Sequence, residues 1–208
     1  VREIRPKEEL NFAVRDPLEI FLQHHLSSYS EKLSGLPQEP ISIIIQAQTD
    51  DEVIEAFEKA GWHLADDPTA HSLLRIVSSV ILNESYPTAP MTPSFWNSQV
   101  HDFGFEKPTE KDSVRARHHA RFWKTGARTE EGKYIYVGVA SLDVGMKYVV
   151  AHSISPDIDT EREFVFAELE KSDSVLSFQK EQLVDPVLGK NAAGDQFFTD
   201  GKVYVIDI

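Results

Sequence analysis

The sequence predicts a single α+β domain with a largely antiparallel sheet and helices packed against it. Three observations carry this. Residues 114–123, 133–142 and 147–154 read as strands, the first with strict two-residue alternation, and turn residues separate them. Two other segments carry helix-start signals followed by apolar residues at helical spacing. Finally, 208 residues with 41% hydrophobic content and no cysteine can bury a core without disulfide or thiolate-metal staples.

Taken in order, residues 1–39 read as an N-terminal extension packed on a domain of residues 40–208. Asp16-Pro17 opens a short helix with Leu18, Phe21, Leu22 and Leu26 as its apolar stripe. Residues 41–46 form a buried strand by their β-branched run. Thr49 and Glu52 make a capping box, and Val53, Ile54, Phe57 and Ala60 continue the helix until Gly61. A further helix is expected over 71–81. Pro87, Pro90 and Pro93 then exclude helix and central strand, leaving an ordered loop anchored by Tyr86, Phe95 and Trp96. In 114–123, Val114, Ala116, His118, Ala120 and Phe122 share one face; Arg115, Arg117, His119, Arg121 and Trp123 share the other. Thr125-Gly126 and Glu131-Gly132 suit the following hairpin loop, and 143–145 the next turn. Pro156 to Asp159 starts a helix running to about Leu169. Asp200-Gly201 marks a C-terminal hairpin.

The net charge of −13 argues against nucleic-acid binding, which needs a basic footprint. No apolar run approaches the ~20 residues that span a bilayer. Between Lys111 and Arg128, however, six basic residues face one acid, Asp112. A local cation cluster on an acidic chain suggests a small anionic ligand.

Three constellations carry chemistry. Arg115, Arg117, His119 and Arg121 lie at alternate positions, about 6.5–7 Å apart on one strand face. Guanidinium groups at that spacing repel unless anions or carboxylates lie between them. Either the protein's own acids fill that role or an outside oxyanion does. His118 and His152 fall on the apolar sides of their strands, where two rings in register could share a proton or a metal. Their spacing matches no zinc signature, and no metal is expected. Asp157, Asp159, Glu161 and Arg162 sit at a helix start, where acids cap N–H groups, the favoured account, or with His152 could ligate Ca²⁺, Mg²⁺ or a transition metal. There is neither a G-x-S-x-G elbow nor a Walker loop, and no cofactor is named by any motif.

Certain stretches resemble the LssY C-terminal domain family. They are residues 40–62, the Tyr86-Pro87 to Pro93 loop, residues 102–108, Arg117-His118-His119-Ala120-Arg121-Phe122-Trp123, and the run from His152 to Arg162. The sequence departs from the family pattern at Ala151 and Ser153, where Thr and a second His are expected. The resemblance implies soluble domains attached to membrane proteins, some fused to lipid-phosphatase or DedA-type modules. It implies an extracytoplasmic domain anchored by a segment outside this chain, near a lipid-phosphate or other anionic ligand. The motif residues map to Arg117, His118, Arg121, Trp123, His152, Asp157, Asp159 and Arg162.

The resulting expectation is a domain that binds, and in the stronger form hydrolyses, a phosphate-bearing or other anionic ligand. Arg117, His119, Arg121 and Arg162 would hold it. His118 or His152 would be the acid–base group, positioned by Asp157 or Asp159. The rival is a non-catalytic interaction module in which the same residues form a structural polar network.

Overall fold

The structure, a computed structural model, describes residues 12–32, 34–65, 91, 93–113, 116–147, 151–191 and 194–208. The helix expected over 71–81 lies outside the described residues, as do Arg115 and most of the 86–94 loop. The strands are β1 (Ala13–Val14), β2 (Tyr29–Glu31), β3 (Pro37–Pro40), β4 (Ile43–Ala47), β5 (His63–Leu64), β6 (Phe95–Trp96), β7 (Gln99–Val100) and β8 (Phe103–Ser113). They continue with β9 (Ala116–Thr129), β10 (Tyr134–Lys147), β11 (Ala151–Ile154), β12 (Ser177–Gln182), β13 (Val187–Lys190), β14 (Gln196–Thr199) and β15 (Lys202–Asp207). The helices are α1 (Glu19–Leu22), α2 (Asp50–Lys59) and α3 (Ile158–Lys171).

The main sheet runs β12-β15-β4-β10-β9-β8-β5, with β1 added to β9 and β11 to β10. It is mostly antiparallel, but β15 lies parallel to β4 and β1 parallel to β9, so the sheet is mixed. β4 is central, and its run Ile43-Ile44-Ile45 buries alternate side chains on both faces. On one face, α2 and α3 contribute Val53, Phe57, Val165 and Leu169 to a core with Phe105, Phe122 and Tyr136. On the other, Ile44, Trp123, Val137 and Val205 pack with Val14, Ile20 and Phe21 from the N-terminal segment and with Trp96. Trp96 belongs to a small sheet, β3-β2-β6-β7.

The helix starts expected at Thr49 and at Pro156 to Asp159 both form. Thr49 Oγ1 accepts from Glu52 N at 3.2 Å, and Glu52 accepts from Gln48 N at 2.7 Å. Asp157 caps α3 by accepting from Thr160 N at 3.1 Å. These bonds satisfy N–H groups that a helix start leaves without partners.

Four boundaries differ from expectation. The hairpin loop does not begin at Gly126: β9 continues to Thr129, and residues 125–127 stand opposite Ile135 as a bulge. Gly126 has φ +79°, which a bulge accommodates and a regular strand does not. Residues 143–145 do not turn either; β10 runs through them to Lys147 with a register shift against β11. Asp200-Gly201 does not close a hairpin, because β14 pairs with β13 while β15 pairs with β12 and β4. The chain changes sheets there, and Gly201 (φ +75°) accepts from Leu183 N and Val184 N on its carbonyl. The first helix is a single turn, since Leu22 is 74% exposed and His25 takes a left-handed conformation.

Candidate functional site

β9 alternates, so the sheet divides its residues. His118, Ala120 and Phe122 face the helices, and Arg117, His119, Arg121 and Trp123 face the opposite side. One site cannot combine His118 with the arginine row, because the sheet lies between them. This corrects the expectation that His118 serves as acid–base group for an anion held by Arg117 and Arg121.

On the helix side, His118 Nδ1 lies 2.8 Å from Glu161 Oε2 on α3. Its ring stacks on Phe164 at 4.1 Å and meets the edge of Trp62. Glu161 is nearly fully buried. This pair ties β9 to α3. Asp143 of β10 pairs with Arg117 on one edge and Ile154 on the other, so β9 and β11 flank β10. Leu142 pairs with His118 and Met146 with His152, which sets the two histidines two strands apart and four residues along β10. That sets their backbone positions about 10 Å apart across the sheet and 13 Å apart along it. The His152 side chain itself lies outside the described part of the structure.

Asp159 and Arg162 form a latch. Asp159 accepts from Thr199 Oγ1 at 2.6 Å and from Asp200 N at 2.7 Å. Arg162, 1% exposed, reaches Asp159, Glu163, Asp200 and the Lys202 carbonyl. Burial works against its charge, but the bonds to Asp200 and Glu163 outweigh it and raise its pKa. These donors are committed within the protein, and Asp157 is committed to its cap.

The other face is different. Arg117 is ion-paired with Glu106, and both are buried. His119 Nε2 lies 3.1 Å from Asp143 Oδ2 and Nδ1 lies 4.0 Å from Glu106 Oε1. The ring is off line for a hydrogen bond to either acid, and both ring nitrogens are buried without a hydrogen-bond partner among the described residues. Burial raises the Glu106 pKa, against the opposing charges of His119, Arg117 and Arg121. Arg121 completes the row, with Val139 of β10 and Gly104 of β8 opposite it. Among the described residues it has no ion pair, and its Nε is buried without a hydrogen-bond partner.

Two groups near Arg121 carried no signal in the sequence. His101 Nδ1 accepts from Ser94 N at 3.3 Å. Burial, and then the Arg121 charge, lower its pKa to about 4, so the ring is neutral and Nε2 carries the hydrogen. A Cβ on Gly104 would meet Met91 Sδ at 2.6 Å and His101 Nε2 at 3.5 Å. The donor therefore ends beside the glycine that faces Arg121. Glu39, on β3, feels the Arg121 charge and hydrogen-bonds the Asn191 side chain; burial still raises its pKa. Glu106 could have been suspected from its alternation with Gly104, but His101 and Glu39 come from distant segments.

A guanidinium and a neutral N–H donor can each donate to an oxyanion. Among the described residues, no cluster of His, Asp and Glu has the geometry of a metal centre. No helix there is long and apolar enough to cross a membrane.

No curated protein and no solved structure matches the chain. The family model described as the LssY C-terminus matches residues 23–203, further in both directions than the stretches that carried the resemblance. With that match over most of its length, the chain belongs to the LssY C-terminus family.

Proposed function

We propose that the chain binds a phosphate-bearing or other anionic ligand at Arg121, on the sheet face opposite the helices. One observation carries this. Arg117 and Arg162 are matched by internal carboxylates, whereas Arg121 has a buried Nε with no partner among the described residues. A buried donor without a partner costs about 1–3 kcal/mol, which an entering oxyanion would recover. His101 supplies a second donor, and His119 is the sequence-nominated histidine on the same face.

The test is a melting series in phosphate, pyrophosphate and a short-chain lipid phosphate against chloride at matched ionic strength. A ligand at a hundredfold excess over Kd should stabilise the folded state by about 2.7 kcal/mol. Arg121→Ala should remove that rise with little loss of unliganded stability. Equal melting temperatures in all solutions, for native and variant protein, would eliminate the reading.

The paired Arg162 and Arg117 favour the rival at their own positions: both act there as structural polar links. Hydrolysis of the ligand and a membrane-anchored, extracytoplasmic setting belong to the same proposal through the family resemblance. Phosphate release from a chromogenic phosphate ester, lost in Arg121→Ala, tests the first. Fractionation of the full-length gene product tests the second.

A further inference from the structure

His119 is the other side chain of the β9 row with buried, unpartnered nitrogens. Its side chain is 9% exposed, and both ring nitrogens lack a hydrogen-bond partner among the described residues. Nε2 lies 3.1 Å from Asp143 Oδ2 on β10, a distance short enough for a hydrogen bond, yet the N–H does not point along that line. Beside a carboxylate oxygen Nε2 is the nitrogen that carries hydrogen, in the neutral ring and in the protonated one alike. The two atoms are therefore a donor and an acceptor held side by side rather than bonded to each other.

An oxygen that accepts from Nε2–H at about 2.9 Å and donates to Oδ2 at about 2.7 Å lies roughly 50° off the line joining them, a departure that leaves the direct contact unbonded. A hydroxyl group does both jobs through one atom, whereas an ammonium only donates and a phosphate or carboxylate oxygen only accepts and is repelled by Asp143. Asp143 has other interactions, and these can stand, because a carboxylate oxygen accepts more than one hydrogen bond. The pair is fixed in place: His119 lies between Ser141 of β10 and Glu106 of β8 in the sheet. The Arg117–Glu106 ion pair stands on one side of it along the face, and Arg121 on the other.

Resting on the anion-site reading, we propose that His119 and Asp143 form a hydroxyl subsite beside Arg121, and that the ligand is a phosphate ester of a polyol. The phosphate takes the Arg121 guanidinium. A hydroxyl within a few bonds of it accepts from His119 Nε2 and donates to Asp143 Oδ2. Alternate side chains on a strand face stand about 6.5–7 Å apart, a span that one small ligand covers. Free phosphate fills only the Arg121 end. A ligand without the hydroxyl leaves Nε2 and Oδ2 desolvated and unmatched, so the pair discriminates against it.

The probes are glycerol phosphate and propyl phosphate, which share charge and chain length and differ only in the hydroxyls. By calorimetry the native protein should bind glycerol phosphate about ten- to a hundredfold more tightly. His119→Phe, which keeps the bulk of a ring and removes its nitrogens, should bind the two alike. In the native protein the His119 Nε2 signal, followed by nitrogen NMR, should move with glycerol phosphate beyond any shift that propyl phosphate produces, a reading that does not depend on how the variant folds. If the native protein binds both phosphates equally, the hydroxyl subsite is overturned and the anion site stands. The same holds if His119→Phe keeps the native preference, or if the two phosphates shift the Nε2 signal alike. If neither phosphate binds the native protein, the anion-site reading falls and takes this one with it.

Discussion

Arg117 and Arg121 are two residues apart on one strand face, so the same substitution at each compares a paired with an unpaired guanidinium. Arg117→Met breaks a buried ion pair whose side chains are 6% and 2% exposed. Removing one partner of such a pair costs about 3–5 kcal/mol, because the other charge stays buried without its match. Glu106 softens the loss: burial already raises its pKa, and without Arg117 it takes a proton more readily. The expected cost is therefore at the low end, about 3 kcal/mol at pH 7, and smaller near pH 5. The sign follows from linkage, since an acid with a raised folded pKa destabilises the protein as pH climbs through that value. Arg121→Met loses no ion pair among the described residues and removes a buried Nε without a partner. That relief offsets the lost attraction to Glu39 and Glu106, so its stability should stay within about 1 kcal/mol of native. Equilibrium urea unfolding at both pH values, with slopes compared to verify that the unfolded states match, reads the difference. If Arg121→Met is as damaging as Arg117→Met, Arg121 is a structural cation and the case for an outside anion collapses.

Two further outcomes are expected. His101, with its pKa lowered to about 4, should cost the protein stability as pH falls from about 6.5 towards 4, since the unfolded chain takes a proton that the folded one refuses. The loss is at most about 3 kcal/mol, and His101→Gln should show a smaller fall in melting temperature between pH 7 and pH 4.5. Gly138 pairs with Phe122, and a Cβ there would meet ring atoms Cδ1 at 2.5 Å and Cζ at 2.9 Å. Phe122 is fully buried, so Gly138→Ala should destabilise by about 1–3 kcal/mol in urea melts, and an unchanged midpoint would show that the ring has room to move.

Local chemistry made much of this protein legible from its sequence. The Thr49 and Asp157 caps, the two helices they start, the buried run of β4 and the division of β9 into two faces all follow from neighbouring residues, because capping and alternation are short-range effects. The alternation even held the correction to the expected site: His118 and Arg117 are adjacent in sequence and so must lie on opposite faces of a strand. Register and partner choice were not legible. Whether Gly126 turns the chain or bulges it depends on how β10 pairs, and whether Asp200-Gly201 closes a hairpin depends on Arg162 holding Asp200 from a helix 38 residues away. The sequence by itself determined that several arginines and histidines share a strand. Only the tertiary structure decided which were spent, by bringing Glu106 to Arg117, Asp200 to Arg162 and Glu161 to His118, while leaving the Arg121 Nε buried and unmatched beside His101 and Glu39. A carboxylate's reach to a guanidinium is set by chain paths that meet in space, and no local pattern records them.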